Sequence, residues 1–479
     1  MLRRTKIVAT LGPATRDRAV LERLFRAGVD LVRMNFSHGS AQDHINAAET
    51  VRAAAKAVGR TVGILADLQG PKIRVRKFEK DKIFLNNGDT FILDAALEGL
   101  GNQERVGLDY KELPNDVEPG SILLLNDGML EFHVKEVRGP EVICTVVRGG
   151  SLSNNKGINR KGGGLTAPAL TDKDKQDIKT AALIRADYLA VSFPRSGDDM
   201  RLARSLMQEA GGSSLLMAKI ERAEAIPLLD DIIDASDAIM VARGDLSVEV
   251  GDAAVPGLQK KMIKMARAKN RLIITATQMM ESMIVNPIPT RAEVSDVANA
   301  VLDGTDAVML SAETAVGDFP VETVQAMDRI CRSAEKELDA TDDGNSKKKS
   351  PTVFTRVDQS IAMAALYTAN RLKVKALVAM TQSGSTALWM SRRNVCVPIY
   401  ALTPNEATLG KVTLFGGVHP LAFDSTASVH SQVLLDAEAE LLKHKLVKKG
   451  DLIVITIGET VGSSGHTNTM KIVKVGEHD

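Results

Sequence analysis

Residues 215–245 read LLMAKIERAEAIPLLDDIIDASDAIMVARGD. Two short apolar runs, Leu215–Ala218 and Ala238–Val241, flank a stretch with helical character, and a cation and an acid follow each run directly. Runs this short and this apolar are typical of parallel strands that are buried on both faces. Because parallel strands are joined by crossover connections, usually helices, the segment predicts a strand–helix–strand unit.

The same pattern recurs along much of the chain. Helix signals lie between the runs, such as Gly28 at a helix end and the capping-box pairs Thr171 with Asp174 and Thr290 with Glu293. Eight apolar runs, mostly joined by helices, predict a (β/α)8 TIM barrel. The six other runs are Lys6–Ala9, Asp30–Met34, Val62–Ala66, Tyr188–Val191, Leu272–Thr275 and Ala307–Leu310.

The helical pattern disappears after the third run, and hairpin signals replace it. Asn87-Gly88 separates Lys82–Leu85 from 89–93, and Asp127-Gly128 separates Ile122–Leu125 from 129–134. Such dipeptides between apolar runs are typical of β-hairpins. We therefore expect a small all-β lid domain inserted into the barrel, with the glycines at 162–164 as a hinge on its return.

A polar stretch without periodicity, residues 339–350, marks a second boundary. The alternation of strands and helices restarts beyond it, with strands expected near 376–380, 398–402 and 452–457, and predicts a three-layer α/β domain. The expected domains are 1–70 and 167–343 for the barrel, 71–166 for the lid and 350–479 for a C-terminal regulatory domain.

Composition narrows the classes of function. The 479 residues carry 61 Lys and Arg against 60 Asp and Glu, and aromatic residues make up 3%. A nucleic-acid-binding protein would need a basic surface and usually stacking rings, so we expect no such partner. No apolar run reaches the roughly 20 residues that span a bilayer. The first residues do not resemble a signal peptide, and three scattered cysteines predict neither a disulfide framework nor a metal site, so we expect a cytoplasmic protein.

Charged and hydroxyl residues follow the apolar runs. In a (β/α)8 barrel, the carboxyl ends of the strands carry the catalytic groups. This many charges beside buried strands favours an active site over a structural ring of ion pairs. The residues in question are Thr10, Arg33, Asn35, Ser37, Asp67, Ser192, Lys219, Glu221, Arg243, Asp245, Thr277, Ser311 and Glu313.

Residue types indicate what this ring could do. Lys219 and Glu221 are two apart and would point the same way from an extended strand, while Glu221 and Asp245 would converge from neighbouring strands. Two carboxylates without nearby His or Cys suit Mg²⁺ or Mn²⁺. Lys and Arg beside them suggest a phosphorylated substrate, because phosphoryl transfer depends on positioning and charge neutralisation. We interpret residues 243–245 as a strand–turn with free N–H groups, and no Walker or GxGxxG nucleotide motif is present.

Seven segments carry a family resemblance, and the chain resembles pyruvate kinases of the bacterial type. The likeness runs in order to about residue 330, including the β insertion, and continues more loosely beyond it. The segments are TKIVATLGPAT (5–15), VRMNFSHGS (32–40), ADLQGPKIR (66–74), AKIERAEA (218–225), MVARGDLSVEV (240–250), TATQMMESM (275–283) and PTRAEVSDVANAVLDGTDAVMLSAET (289–314).

The resemblance implies transfer of a phosphoryl group from phosphoenolpyruvate to ADP in glycolysis, which gives pyruvate and ATP. Arg33 would bind the phosphoryl group, Lys219 would stabilise developing charge, and Thr277 would act through a water molecule where the enolate is protonated. Gly244, Asp245 and Thr277 would seat the substrate carboxylate. The resemblance further implies Mg²⁺ ligands Glu221 and Asp245, K⁺ ligands Asn35, Ser37, Asp67 and the Leu68 carbonyl, and nucleotide contacts from Asn35, His38, Arg74 and Lys156.

Three residues depart from the family pattern. Lys72 stands where K⁺-dependent members carry Glu, and its ammonium could replace the ion, so we predict activity without K⁺. Ser247 replaces a usual Gly and could either crowd the backbone or add a donor. Ala312 replaces a Gly of many members and should only adjust packing.

The C-terminal domain would bind an allosteric effector. A helix start after a strand offers hydroxyls and N–H groups to a phosphate, and Ser385 in place of a cation favours a monophosphorylated sugar or AMP over fructose 1,6-bisphosphate. The family also implies a homotetramer. Two other classes stay open on residues alone, a Mg²⁺-dependent lyase or aldolase acting on pyruvate enolates and a silent sugar-phosphate sensor. The expected effector residues are Thr381, Ser383, Gly384, Ser385 and Thr386.

Overall fold

The structure is a computed structural model of the chain. It describes residues 2–71, 73–341, 354–393, 396–424, 430–458 and 466–477.

The first elements of the chain are buried strands that alternate with helices. Helix α1 ends where Gly28 adopts φ 122°, and the Gly28 N–H donates to the carbonyls of Leu24 and Phe25. A glycine tolerates this backbone angle because it has no Cβ. The elements are β1 (Lys6–Thr10), α1 (Arg18–Ala27), β2 (Leu31–Asn35), α2 (Ala41–Ala57) and β3 (Gly63–Asp67).

An all-β region follows β3, as the loss of helical periodicity predicts. Its elements are β4 (Lys82–Leu85), β5 (Thr90–Asp94), β6 (Arg105–Gly107), α3 (Leu113–Asp116), β7 (Ile122–Leu125), β8 (Leu130–Arg138), β9 (Glu141–Arg148), β10 (Gly150–Ser153) and β11 (Ile158–Arg160). One sheet has the order β11-β7-β8-β9-β5-β6, and β4 pairs with β10 in a second sheet.

One of the two predicted hairpins is wrong. Strands β7 and β8 pair antiparallel around Asp127-Gly128, as predicted. Strand β4, however, pairs with β10, while β5 pairs with β9 and β6, so the turn at Asn87-Gly88 joins strands of different sheets. The dipeptide specifies a local chain reversal, whereas the partners of each strand are set by side-chain packing of distant segments.

The chain then returns to complete the barrel. The predicted capping boxes at Thr171 and Thr290 are both present at helix starts. The elements are α4 (Asp172–Leu183), β12 (Tyr188–Val191), α5 (Gly197–Glu209), β13 (Leu215–Ile220), α6 (Leu229–Ala235), β14 (Ala238–Ala242), α7 (Arg243–Val250), α8 (Val255–Ala268), β15 (Leu272–Ala276), α9 (Arg291–Asp303), β16 (Ala307–Leu310), α10 (Ala312–Ala315) and α11 (Pro320–Thr341).

Eight parallel strands close the predicted barrel. Their order is β1-β16-β15-β14-β13-β12-β3-β2, with β1 pairing β2 to complete the circle. The methionines at 279, 280 and 283 are fully buried in the apolar layer outside the strands. Short 3-10 segments lie at Pro13–Thr15, Ala223–Ala225, Asp252–Ala254 and Glu281–Ile284.

A separate α/β domain ends the chain. Its elements are α12 (Val357–Leu372), β17 (Ala376–Met380), α13 (Ser385–Ser391), β18 (Ile399–Thr403), α14 (Glu406–Val412), β19 (Val418–Ala422), α15 (His430–Lys443), β20 (Leu452–Gly458) and β21 (Thr467–Lys474). The sheet order is β19-β18-β17-β20-β21, with β21 antiparallel to β20. The predicted domain boundaries stay predictions, and the one at 343–350 lies outside the described residues.

The C-terminal domain packs against the amino-terminal end of the barrel strands. Lys6, the first residue of β1, donates from Nζ to the Val418 carbonyl at 2.5 Å, and Tyr188 donates from its hydroxyl to the Lys411 carbonyl. One apolar cluster continues from the inside of the barrel into this domain. The opposite end, where the strands finish, is left for the lid and the candidate site. Within the described ranges, no helix is both long and apolar enough to cross a membrane.

Candidate active site

Lys219 lies at the centre of a buried network at the carboxyl end of the barrel. Its Nζ lies 3.0 Å from Glu221 Oε1, 3.3 Å from Asp67 Oδ1 and 2.8 Å from Ser192 Oγ. Lys219 and Glu221 therefore point the same way, as their spacing predicted. The four residues come from β3, β13 and the residues that follow β12 and β13, so barrel closure brings them together.

Arg33 joins the network from β2. Its Nε donates to Asp67 Oδ2 at 2.6 Å, and its Nη1 donates to Thr10 Oγ1 at 3.2 Å. The Asp67 side chain is 1% exposed and thus lies between two cations, with one oxygen facing each. The carboxylate of Asp67 reduces the repulsion between the two fixed cations. Because one negative charge faces two positive ones, an anion can still approach them.

Burial and neighbouring charges shift the pKa values in this cluster. Burial lowers the pKa of Lys219, but the carboxylates of Asp67 and Glu221 outweigh it and the net pKa is raised. Burial raises the pKa of Asp67, but Lys219 and Arg33 bring it below its usual value. Burial, with a further contribution from Asp245, raises the pKa of Glu221 to about 7 although Lys219 opposes this. Lys219 and Asp67 are thus kept charged. The positive charge near Glu221, by contrast, does not offset the cost of burying its carboxylate.

Asp245 completes a pair of acids with Glu221. Burial raises the pKa of Asp245, Lys219 opposes this rise, and the Asp127 carboxylate on the lid adds to it. Within the described residues, no three His, Cys, Asp or Glu side chains are grouped so that they could hold a metal. Two carboxylates that neighbouring cations do not fully neutralise suit a divalent ion such as Mg²⁺. Such an ion usually keeps water or substrate oxygens as its other ligands. The residues present therefore fit the predicted ion.

The segment 243–245 is the first turn of helix α7, which corrects the predicted strand–turn with free N–H groups. The Gly244 N–H donates to Thr277 Oγ1 at 2.8 Å, so it has a partner. Arg243 anchors the helix start through Nη1 to Asp296 at 2.8 Å and Nη2 to the Thr277 carbonyl at 2.8 Å. The first four N–H groups of any helix lack intrahelical partners. A sequence pattern therefore does not distinguish the start of a helix from a turn with free N–H groups.

Thr277 has an unusual backbone conformation. Its φ is 63° and that of Gln278 is 55°, although Thr is β-branched and rarely adopts the left-handed region. Thr277 Oγ1 donates to the Ala276 carbonyl at 2.7 Å and accepts from Gly244, which fixes the hydroxyl next to α7. Strain of this kind persists where the surroundings impose it, frequently at functional sites.

The predicted K⁺ ligands lie together beside Arg33. Asn35 and Asp67 are register partners of β2 and β3, and Asn35 Oδ1 accepts from the Ser37 N–H at 3.1 Å. The Leu68 carbonyl accepts from Ser192 Oγ at 2.7 Å. Lys72, the predicted substitute for the ion, lies outside the described residues.

The predicted nucleotide residues fall into two groups. Asn35 and His38 line one cavity of about 1040 Å³ between α1, α2 and the strand ends, and Arg33 also lines it. Arg74 and Lys156 do not line it but lie together at the joins of the lid, where the Val75 N–H donates to the Lys156 carbonyl at 2.9 Å. An isolated bridge between Arg74 and Gly157 also connects the two joins.

Several residues of the cluster were not assigned a role from the sequence. Ser192 was noted only as a strand-end residue, yet its hydroxyl joins Lys219 to the Leu68 carbonyl. Glu249 has no role in the predicted strand–turn. In helix α7 it lies four residues after Asp245 and therefore on the same face, so the spacing becomes meaningful only once the helix is known.

The predicted effector residues surround the start of α13. The Gly384 N–H donates to Thr381 Oγ1 at 2.9 Å, and Thr386 shares a 2.8 Å hydrogen bond with Thr467 across the sheet. Ser383 Oγ lies 3.4 Å from Ser385 Oγ, which also faces the buried carboxylate of Asp358 at 3.4 Å. The sequence also suggests that the loop 458–468 completes this pocket, and that loop lies mostly outside the described residues.

Comparisons with known proteins give a consistent result. The family descriptions "Pyruvate kinase, barrel domain" and "Pyruvate kinase, alpha/beta domain" match residues 2–324 and 359–473. Pyruvate kinase II of Salmonella typhimurium is 55% identical over 99% of each chain, and the pyruvate kinase of Haemophilus influenzae is 54% identical over 95% of this chain and 96% of its own. A crystal structure of a pyruvate kinase from Cryptosporidium parvum has a TM-score of 0.91 at 34% identity and covers 99% of this chain and 96% of its own.

Proposed function

The chain belongs to the pyruvate kinase family, and from this premise we propose that the network around Lys219 is where it moves a phosphoryl group from phosphoenolpyruvate to ADP. Family membership makes it a phosphotransferase, and the lyase and the silent sensor are no longer favoured. The observation that carries the site assignment is a buried lysine held between two carboxylates, 3.3 Å from Asp67 and 3.0 Å from Glu221, with Arg33 beside it.

Arg33 and Lys219 are the proposed phosphoryl-binding groups. Arg33 is oriented by Asp67 and Thr10, and its Nη2, for which the described residues supply no hydrogen bond, can donate to a substrate oxygen. The raised pKa of Lys219 keeps its ammonium charged where negative charge develops on the phosphoryl and enolate oxygens. Fixed cations of this kind contribute to phosphoryl transfer by positioning and electrostatic stabilisation.

Gly244, Asp245 and Thr277 are the proposed seat of the substrate carboxylate. The start of α7 directs the positive end of the helix dipole towards an anion, and the Gly244 N–H, which donates to Thr277 Oγ1 in the structure, would turn to the carboxylate when substrate binds. The Thr277 hydroxyl lies within 2.8 Å of the Gly244 nitrogen, and we place it, through a water molecule, where the enolate takes up its proton. Its left-handed backbone, with φ 63°, holds the hydroxyl in that position.

Glu221 and Asp245 are the proposed ligands of Mg²⁺ or Mn²⁺. Such an ion, when bound, neutralises charge on the transferred phosphoryl group and the enolate oxygen. Burial raises the pKa of Glu221 to about 7, and a divalent cation beside it would favour the ionised carboxylate.

We further propose activity without K⁺. In the structure, Arg33 and Lys219 already neutralise Asp67, and the sequence supplies another cation at Lys72. Turnover should persist in K⁺-free buffer with tetramethylammonium as counter-ion, whereas Lys72→Glu should introduce a K⁺ requirement. A loss of wild-type turnover that K⁺ restores would contradict the proposal.

Asn35, His38, Arg74 and Lys156 are the proposed nucleotide contacts. The first two line the cavity beside Arg33, and the last two lie on the joins of the lid, so that lid closure would bring their cations towards the phosphates. A closed lid also excludes water that would otherwise hydrolyse the phosphoryl group.

Regulation, assembly and location complete the proposal. Thr381, Ser383, Gly384, Ser385 and Thr386 would bind a monophosphorylated sugar or AMP, since Ser385 stands where a second phosphate would need a cation. Activation by ribose 5-phosphate, glucose 6-phosphate, AMP and fructose 1,6-bisphosphate would be compared, and activation by the bisphosphate alone would contradict this assignment. We also propose a homotetramer that acts in glycolysis in the cytoplasm, as the family implies.

A coupled assay with phosphoenolpyruvate, ADP and Mg²⁺ tests the site. Lys219→Met removes the central ammonium and should lower kcat by at least 10²-fold, in the range measured for single electrostatic groups. Lys179→Met, at an exposed lysine of α4, is the matched control and should retain full activity. Equal activity in the two variants would remove Lys219 from the mechanism.

A further inference from the structure

Helix α7 has a second functional end, opposite the one that carries Gly244 and Asp245. Glu249, in its last turn, is 6% exposed and accepts from the Ala223 N–H through Oε2 at 2.8 Å. Ala223 follows two residues after Glu221, so the helix is fastened at this point to the loop of the predicted metal ligand. A buried carboxylate that receives a backbone N–H is stabilised in its ionised form.

The same end of α7 receives the lid. Asn159 of β11 donates from Nδ2 to Glu249 Oε1 at 3.4 Å, and the Gly162 N–H donates to the Glu249 carbonyl at 3.0 Å. At the β7–β8 hairpin, a Cβ built on Gly128 would lie 3.8 Å from a Val248 methyl group. Glu249 is therefore the residue of α7 that contacts the returning strand of the lid through both its side chain and its backbone.

The hinge beside this contact is built from three glycines. Gly162, Gly163 and Gly164 have φ values of 82°, 84° and 99°, which other residues adopt at a cost. The Gly164 N–H donates to Glu224, and a Cβ on Gly163 would lie 2.5 Å from the Glu224 carboxyl carbon. A hinge of this composition does not fix the lid by itself, so its orientation depends on the contacts around it.

We propose that Glu249 is a positioning residue that fastens the lid to α7 and thereby sets how the lid seats over the nucleotide. Glu249 contacts no substrate and acts through Asn159 and Ala223. This role rests on the proposed function, because it assigns the nucleotide to the space under the lid.

The fastening should depend on the charge of Glu249. The Ala223 N–H and the Asn159 side-chain amide both donate to the Glu249 carboxyl group. Both favour the ionised carboxylate, because it accepts hydrogen bonds more strongly than the neutral acid. Burial raises its pKa to about 7, Glu224 adds to this rise, and Arg222, on the same loop as Glu224, opposes it. The contact is thus strongest above pH 7 and weakens as the carboxyl takes up a proton below that value.

Kinetics in ADP and phosphoenolpyruvate test the role. Glu249→Ala should raise the KM for ADP about tenfold, which corresponds to about 1.4 kcal/mol, and change the KM for phosphoenolpyruvate less than twofold. Asn159→Ala should act in the same direction. The double variant should be no worse than Glu249→Ala, because Glu249→Ala already removes the hydrogen bond that Asn159→Ala removes. Asp252→Asn, at an exposed acid that accepts from the neighbouring Ala253 N–H, is the control.

Two further measurements separate fastening from a general loss of structure. The KM for ADP of the wild type should rise below pH 7, and Glu249→Gln, which keeps an acceptor but cannot ionise, should remove that dependence. Hydrogen exchange of the segment 158–166 should accelerate in Glu249→Ala while exchange in the barrel strands stays unchanged. Equal changes in both KM values, or unchanged exchange at 158–166, would overturn the proposal. Exchange is measured without substrates, so it tests the fastening even if the proposed function failed.

Discussion

The ion pair between Arg392 and Asp306 joins the C-terminal domain to the barrel. Asp306 precedes β16, Arg392 follows α13, and their side chains are 2% and 3% exposed. Arg392 Nη2 donates to Asp306 Oδ1 at 2.6 Å and Nη1 to Oδ2 at 3.0 Å, while Asp306 Oδ2 also accepts from the Ile273 N–H at 2.9 Å. Arg392→Met would leave the Asp306 carboxylate buried without its paired guanidinium, while the Ile273 N–H still donates to it and the Arg267 charge still acts on it.

Removing one partner of a buried pair typically costs about 3–5 kcal/mol, most of which is the cost of the charge left behind. We expect Arg392→Met to destabilise the attachment of the C-terminal domain by that amount. Asp306→Asn in addition to Arg392→Met should recover about half of the loss, since the double variant buries no charge. The coupling between the two positions should therefore exceed 1 kcal/mol.

Trp389 provides the assay. It is the single tryptophan of the chain and lies in α13, three residues before Arg392. Its fluorescence during urea titration reports the C-terminal domain and its interface with the barrel. Arg393→Met, at the exposed neighbouring arginine, should shift the midpoint little. A loss below about 1 kcal/mol for Arg392→Met, or additive effects in the double variant, would refute the electrostatic reasoning.

Two further predictions concern the same interface. Burial lowers the pKa of His419 to about 3 from 6.5, so the unfolded chain takes up a proton below pH 6.5 while the folded chain does not. Stability should therefore fall by up to about 2 kcal/mol between pH 6.5 and pH 5 in urea titrations, and His419→Asn should remove most of that loss. A Cβ on Gly63 would lie 2.5 Å from Thr413 Oγ1 and 3.0 Å from the Gly410 carbonyl, so Gly63→Ala should cost about 1–3 kcal/mol. Gly257→Ala, with no heavy atom within 4 Å of its Cβ, should leave the same unfolding midpoint unchanged or raise it, because Ala is favoured over Gly inside helix α8, and an equal loss in the two variants would contradict the steric argument.

The barrel could be predicted from the sequence because its strands are buried on both faces. An apolar run such as Ala238–Val241 can be recognised as a strand without knowing which strands it pairs with. The structure extends this strand by a single residue to Ala242. The lid was harder, since β4 pairs with β10 across the whole insertion and no local signal records that partnership. Hairpin dipeptides describe the turn, whereas strand partners depend on packing between distant segments.

The candidate site was predictable where residue type and strand position agree. Lys219 and Glu221 lie 3.0 Å apart because alternate residues of an extended strand share a face. Ser192 and Glu249 could not be assigned in this way, since a serine at a strand end and a glutamate in a helix are both ordinary. Their roles arise from distances across the barrel and to the lid, which only the folded chain defines.

The bridge between the two joins of the lid has a consequence for how the chain folds. Strands β3 and β12 are neighbours in the barrel, yet roughly 120 residues separate them in the sequence. Once the lid has folded, its paired joins at Arg74 and Gly157 shorten the loop that must close to about 40 residues. The entropy of loop closure then falls by about 1 kcal/mol. The insertion that interrupts the barrel can thus act as its own early folding unit, and it delivers the second half of the barrel to the first.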